Sequence, residues 1–159
     1  TTIMSPTKTS FTGTSTSPSS PNKCAVSARR PCSARMAAVQ RGRPVSVCPS
    51  SDGARCRTDL VWDEGWMAYL DPGRSDHPAS ADDIIQHTNQ PGAPLAVRSS
   101  VGRHRIRFQP TGWASGANLS LRVCSRPQAR LLGAVVVNNA GRPRTERRIA
   151  PVASCPFAP

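Results

Sequence analysis

Between Pro44 and Ile149 the chain is written in short stretches where apolar and polar residues alternate, and that period of two predicts strands. Pro44–Cys48 (PVSVC) is the first. Asp59–Leu70 (DLVWDEGWMAYL) reads as a strand pair or as one bent strand, with Gly65 as the bend. Pro94–Arg98 and His104–Phe108 follow, joined by a Ser-Ser-Val-Gly turn. Leu119–Cys124 (LSLRVC) alternates again, Leu131–Val137 reads as a buried strand, and Thr145–Ile149 pairs back as a last short one. Turns stand between them: Pro49–Arg55 around Asp52-Gly53, Pro110-Thr-Gly112 and Ser115-Gly116 on either side of Trp113, and Asn138–Arg144. Asp71–Asp83 reads as an acidic surface loop. Ahead of the strands, Ala37, Ala38 and Val39 close a short helix with Arg41 in its last turn and Gly42 as its stop. The expected fold is a mainly β domain of six to eight strands with one helix at its N-terminal edge.

Residues 1–22 hold thirteen Ser/Thr and three Pro. Such a tract buries no core and reads as disordered. Residues 23–35 are basic and lack a period. The chain therefore divides into a Ser/Thr/Pro-rich and basic segment, 1–35, and a globular domain, 36–159. The 159 residues include 16 Pro and 11 Gly, a composition of many turns and few long helices. Glycine has no fixed spacing and no heptad persists, so collagen and coiled coil are excluded. No apolar run approaches the roughly 20 residues of a membrane-spanning helix, and no basic start followed by an apolar stretch marks an export signal.

Nineteen Arg, two Lys and nine acidic residues give a net charge of +12. Residues 1–51 hold seven cations and no acid. Residues 52–83 hold eight acids against Arg55, Arg57 and Arg74, and residues 84–159 hold eleven arginines against Glu146 alone. A cationic C-terminal half favours polyanions; an arginine-rich codon bias is the competing explanation.

Six cysteines stand at 24, 32, 48, 56, 124 and 155, with no C-x-x-C pair. Disulfides in an oxidising compartment fit this spacing better than zinc. His77, His87 and His104 are scattered and read as loop or surface residues, so no metal site is expected. Asp63-Glu64 and Asp82-Asp83 are adjacent carboxylates, which point to opposite faces of a strand and make no acid/base pair. No nucleophile elbow and no glycine-rich phosphate loop is present. An enzyme is the least favoured class, and no cofactor is implied.

Four stretches taken in order, AVQRGRPVSVCPSSDGARC, LVWDEGWMAYLD, IRFQPTGWASGANLSLRVC and VVVNNAGRPR, resemble the globular domain of the GspH/FimT family of type IV minor pilins and type II secretion pseudopilins. The resemblance spans about residues 36–159, and GRPR is similar to the FimT branch. It implies a pilin-like domain of two antiparallel sheets with a short remnant of the N-terminal helix. It also implies a subunit anchored in the inner membrane by a single helix, with a periplasmic domain, assembled in a pilus beside other minor pilins or pseudopilins. The family's leader and long hydrophobic helix have no counterpart in residues 1–35, where Cys24 and Cys32 lie. Membrane contact is expected only through that missing helix.

Within this frame the FimT branch associates the G-R-x-R motif with DNA and with natural transformation. Gly141 suits the positive φ of a tight turn. Arg142 and Arg144 flank Pro143, with Arg147 and Arg148 close behind, and guanidinium matches phosphate bidentately. The expected ligand is the DNA backbone, read without sequence preference. A solvated basic turn, or a contact for a neighbouring subunit, is the bland alternative. Arg103, Arg105 and Arg107 alternate with His104, Ile106 and Phe108, so they share one strand face and extend the DNA track if that face lies beside the turn. Trp62, Trp66 and Trp113 read as core and turn packing in preference to base-stacking platforms. Cys48 and Cys56 bracket the Asp52-Gly53 turn and are expected to be bridged, with free buried thiols as the alternative. Cys124–Cys155 is the natural second bridge, tying the C-terminal tail to strand 119–124. The functional expectation is a minor pilin that binds DNA in uptake for transformation. The rivals are a GspH-like structural tip subunit of the type II secretion system and an unrelated secreted, disulfide-stapled β module.

Overall fold

The computed structural model describes residues 29–89, 94–116, 118–151 and 155, with backbone alone at 29–32, 148 and 151. One helix and eight strands run in chain order: α1 (Arg29–Arg41), β1 (Val45–Pro49), β2 (Gly65–Leu70), β3 (Ile84–Asn89), β4 (Leu95–Ser99), β5 (Ile106–Phe108), β6 (Leu119–Ser125), β7 (Arg130–Val137) and β8 (Pro143–Pro151). They form two antiparallel four-stranded sheets, ordered β3-β2-β1-β5 and β4-β6-β7-β8.

The alternation in the sequence sorts the two faces of the first sheet. Val45 and Val47 of β1, Trp66 and Ala68 of β2, and Ile106 and Phe108 of β5 point inward. There they meet Leu119 and Leu121 of β6 and Val135 and Val137 of β7, while Ala34 and Ala38 bring α1 onto the same core. Small alanines on one helix stripe let the helix approach the sheet closely. The odd-man residues of β1 and β2 cover the other face: Cys48 stands opposite Met67, Ser46 opposite Tyr69, and Cys48, Cys56, Met67 and Tyr69 form a second apolar cluster. All five residues of β1 are buried because both of its faces are covered.

The Asp52-Gly53 turn forms as the sequence predicts. Gly53 has φ +71°, and Asp52 Oδ1 accepts the N–H groups of Ala54 and Arg55 at 2.8 and 3.0 Å. These bonds hold the Asp52 carboxyl below the usual carboxylate range. The folded-back loop brings Cys56 to Cys48, and the bridge is present with Cα atoms 5.5 Å apart. The second bridge, Cys124–Cys155, is also present, with Cα atoms 6.3 Å apart.

Several expectations change. The helix begins at Arg29, seven residues ahead of the expected boundary, and Ala34 is already core. It stops where expected, with Gly42 at φ +60°. The expectation of disorder for residues 1–22, and Cys24, lie outside the described residues. Asp59–Glu64 is not a strand of a pair with β2. Leu60 takes φ +66°, Trp62 N–H donates to the Val97 carbonyl at 3.0 Å, and Ser99 N–H donates to Leu60 at 3.2 Å, so this segment lies along β4. Gly65 opens β2 instead of bending it: a Cβ there would strike the carbonyl oxygens of Ser50 and Thr88. β3 was not expected at all. Its IIQHTN sequence lacks alternation because it is an edge strand, half-exposed and shifted in register against β2 at Ala68/Tyr69. In the acidic loop, Asp71 is buried, not surface: it accepts from Ser46 Oγ at 2.6 Å and from Arg107 Nε at 3.1 Å.

Candidate nucleic-acid interface

The turn between β7 and β8 runs over residues 138–142. Gly141 N–H closes it onto the Asn138 carbonyl at 2.8 Å, and the Asn138 side-chain oxygen accepts from Arg142 N–H at 3.2 Å. Gly141 is buried at φ +69°, and a Cβ in its place would collide with the Gly112 carbonyl oxygen. Here glycine is required twice, for its backbone angle and for close approach.

Its neighbour is the loop 109–114. Gln109 N–H donates to the Trp113 carbonyl at 2.7 Å, Gly112 N–H donates to Gln109 at 2.8 Å, and Ala114 N–H donates to Asn139 at 2.9 Å. Arg35 of α1 adds its Nε to the Gly112 carbonyl at 3.0 Å. Helix, loop and turn are thus joined through one glycine carbonyl. Replacing Gly141 by alanine is expected to cost about 1–2 kcal/mol from the backbone angle alone, and more from the displaced loop. A drop in Tm of several degrees in calorimetry checks this; an unchanged Tm contradicts the seating of the turn on Gly112.

The arginines occupy two faces, not one fork. Arg142 is exposed at the tip of the turn, and no ion pair to it exists among the described residues. β8 begins at Pro143, so Arg144, Arg147 and Arg148 belong to an edge strand, not to the turn. Arg144 stands opposite Val136, and its guanidinium meets Glu146 at 2.9 Å with 69% of the side chain exposed. Arg147 stands opposite Gly133, an odd number of residues from Arg144, and so projects from the other face. Arg148 is placed by its backbone in β8, where the register against β7 shifts.

Arg103, Arg105 and Arg107 border a cleft of about 500 Å³ together with Asp71, Arg74, His104 and Gly116. Only Arg107 lies in β5; the other two precede it. Their guanidiniums are engaged within the chain. Arg107 holds the buried Asp71, Arg105 meets Asp76 at 2.6 Å and the Ser75 carbonyl at 2.8 Å, and Arg103 donates to the Gly116 carbonyl at 2.5 Å. The alternating arginines are in large part braces for the 71–76 loop.

The tryptophans divide. Trp62 and Trp66 are core, at 4% and 2% exposure. Trp113 is 60% exposed, which corrects the expectation of packing for it. The Pro110-Thr-Gly112 turn was legible, but only its tight closure, with Gly112 at φ +82°, turns the next side chain outward. Arg35 contributes because α1 starts at Arg29, a start that the sequence of residues 23–35, basic and without a period, does not mark. Among the described residues no cluster of His, Cys, Asp and Glu suits a metal; His77 Nδ1 accepts the Cys56 N–H at 3.2 Å.

The fold is shared with solved structures. Two crystal forms of the type IV minor pilin FimU of Pseudomonas aeruginosa PAO1 superpose with TM-scores of 0.57 and 0.55, each at 16% identity over 77% of this chain. They cover 85% and 90% of the FimU chains. No curated protein is significantly similar in sequence. Residues 33–141 match the family described as Type II transport protein GspH. That match runs from α1 through β7 to Gly141, taking in the first sheet and three strands of the second. With a two-sheet, disulfide-bridged domain of pilin-like fold behind it, the chain belongs to the GspH family.

Proposed function

We propose that this protein is a minor pilin of a type IV pilus that holds DNA through its GRPR segment during uptake for natural transformation. The observation that carries the reading is the state of Arg142. It is an exposed guanidinium without an ion pair among the described residues, on a turn seated by a buried glycine and closed by hydrogen bonds from the Gly141 and Arg142 N–H groups to the backbone and side-chain oxygens of Asn138. Arg144 has Glu146 for a partner, but an exposed pair of this kind is worth about 0–1 kcal/mol, so a phosphate displaces the carboxylate at small cost. Arg147 and the backbone-placed Arg148 supply further positive charge along the same edge strand. The contacts are to phosphate, so they position the duplex and carry no sequence information. Of the three-arginine extension, Arg103 is the exposed member.

The second reading is a pseudopilin at the tip of the type II secretion system, with the same arginines contacting a neighbouring subunit. The family description, a type II transport protein, favours it. The test uses the full chain and two duplexes of unrelated sequence. Arg142→Gln with Arg144→Gln should weaken binding to both by the same factor, roughly tenfold or more at 50 mM salt. Unchanged affinity contradicts DNA capture at this turn. Loss of the gene should then lower transformation and spare protein secretion; the opposite pair of phenotypes favours the pseudopilin.

A further inference from the structure

We infer that Trp113 is a base-stacking platform, and that the site formed by Trp113 and Arg142 takes single-stranded polynucleotide in preference to duplex. This inference rests on the reading of the turn as a DNA site and specifies the form of nucleic acid that the turn takes.

Three observations lead to it. Trp113 is the one tryptophan of the three with most of its surface in water, while Trp62 and Trp66 are buried. Its two neighbours in the chain touch the arginine turn: Gly112 packs its carbonyl against Gly141, and Ala114 N–H donates to the Asn139 carbonyl. The indole therefore leaves the backbone between the two points where the loop is fixed to the turn. The loop is also held from behind, by the Gln109–Trp113 and Gln109–Gly112 hydrogen bonds and by Arg35 on Gly112. A large flat side chain on a braced backbone, fixed to the turn that carries the exposed Arg142, brings together the two components of a single-strand site: a π-face for a base and a cation for a phosphate. In an intact duplex the bases are already stacked on one another and offer no free face to an indole. A single strand offers one at every nucleotide, whatever its identity.

The competing occupant of an exposed tryptophan is a neighbouring protein subunit, and the experiment separates the two. Full-chain protein is titrated with an oligothymidylate, with an abasic strand of the same length and charge, and with a duplex, all at one salt concentration. Oligothymidylate should quench the exposed indole's fluorescence, and Trp113→Ala should weaken its binding about fivefold or more. Trp113→Phe should restore most of that loss. Affinity for the abasic strand and for the duplex should change less than twofold. The variant's Tm should match the parent's, since the indole makes little packing.

Equal weakening on all three ligands overturns the inference and makes Trp113 a support of the turn. No weakening on any of them, with Arg142→Gln still weakening binding, overturns stacking alone and leaves Trp113 to a protein contact. No effect of Trp113→Ala or of Arg142→Gln overturns the DNA reading beneath it.

Discussion

Replacing Cys124 and Cys155 together by alanine should cost about 3–4 kcal/mol, the largest loss expected from any single disulfide in the domain. The bridge spans 31 residues, and in the chain-entropy view a longer closed loop restricts the unfolded chain more. It also fastens Cys155 to an apolar cluster with Leu131 and Ala150, so the far half of β8 is held to β7 near the sheet's end. Removing Cys48–Cys56, at a separation of eight, should cost about 2–3 kcal/mol. Urea midpoints of the two double variants, compared at equal m, test this order. A larger loss at Cys48–Cys56 would show that native packing around Met67 and Tyr69, not loop length, sets the effect.

Asp63→Ala should be comparably damaging. Its carboxylate, with 6% of the side chain exposed, accepts Val97 N–H at 3.1 Å, meets Arg126 at 2.7 Å and pairs with the Arg98 guanidinium. Through it the segment before β2 is tied to β4 and to the β6–β7 turn. Alanine removes the carboxylate that the largely buried Arg98 guanidinium and the Val97 N–H share. Breaking a buried pair from one side costs about 3–5 kcal/mol. The same site sets an acid limb of stability. Burial alone would push the Asp63 carboxyl up, but the Val97 hydrogen bond, the Arg126 hydrogen bond and the Arg98 charge outweigh it and hold it below the usual range. A carboxyl depressed by folding stabilises the protein above its unfolded value of about 3.9. That contribution is lost as pH falls through the folded value. Between pH 5 and 3, Tm should therefore fall more steeply in the parent than in Asp63→Ala. Parallel slopes would remove Asp63 from the acid transition.

Much of the second sheet was legible from sequence, because β6 and β7 alternate cleanly and each presents one face to the core. The first sheet was harder. β1 and β2 are covered on both faces, so GWMAYL carries no period, and β3 is an edge strand held by backbone pairing, which leaves no mark on side-chain order. The path of Asp59–Glu64 along β4 depends on Leu60 at positive φ, an angle that no leucine advertises. In the site, Gly141 and Arg142 could be read because a turn needs that glycine. The separation of Arg144 from Arg147 could not, since it follows from β8 starting at Pro143. The loop that carries the exposed Trp113 is fastened by Arg35 and Asn139, 78 residues behind Trp113 and 26 ahead, and long-range contacts of that kind lie beyond any local pattern.

The salt dependence of duplex binding tests the central claim most directly. Arg142→Gln with Arg144→Gln removes two charges at the turn. Arg55→Gln with Arg130→Gln removes the same charge from two exposed positions, one in the loop after β1 and one at the start of β7, the end away from the turn. If the turn holds phosphate, the first pair should lower the slope of log K against log salt by about 1.8, at about 0.9 per contact, and the second should leave it nearly unchanged. Equal reductions by the two pairs would mean that DNA responds to the net charge of +12 and not to a site at Arg142 and Arg144.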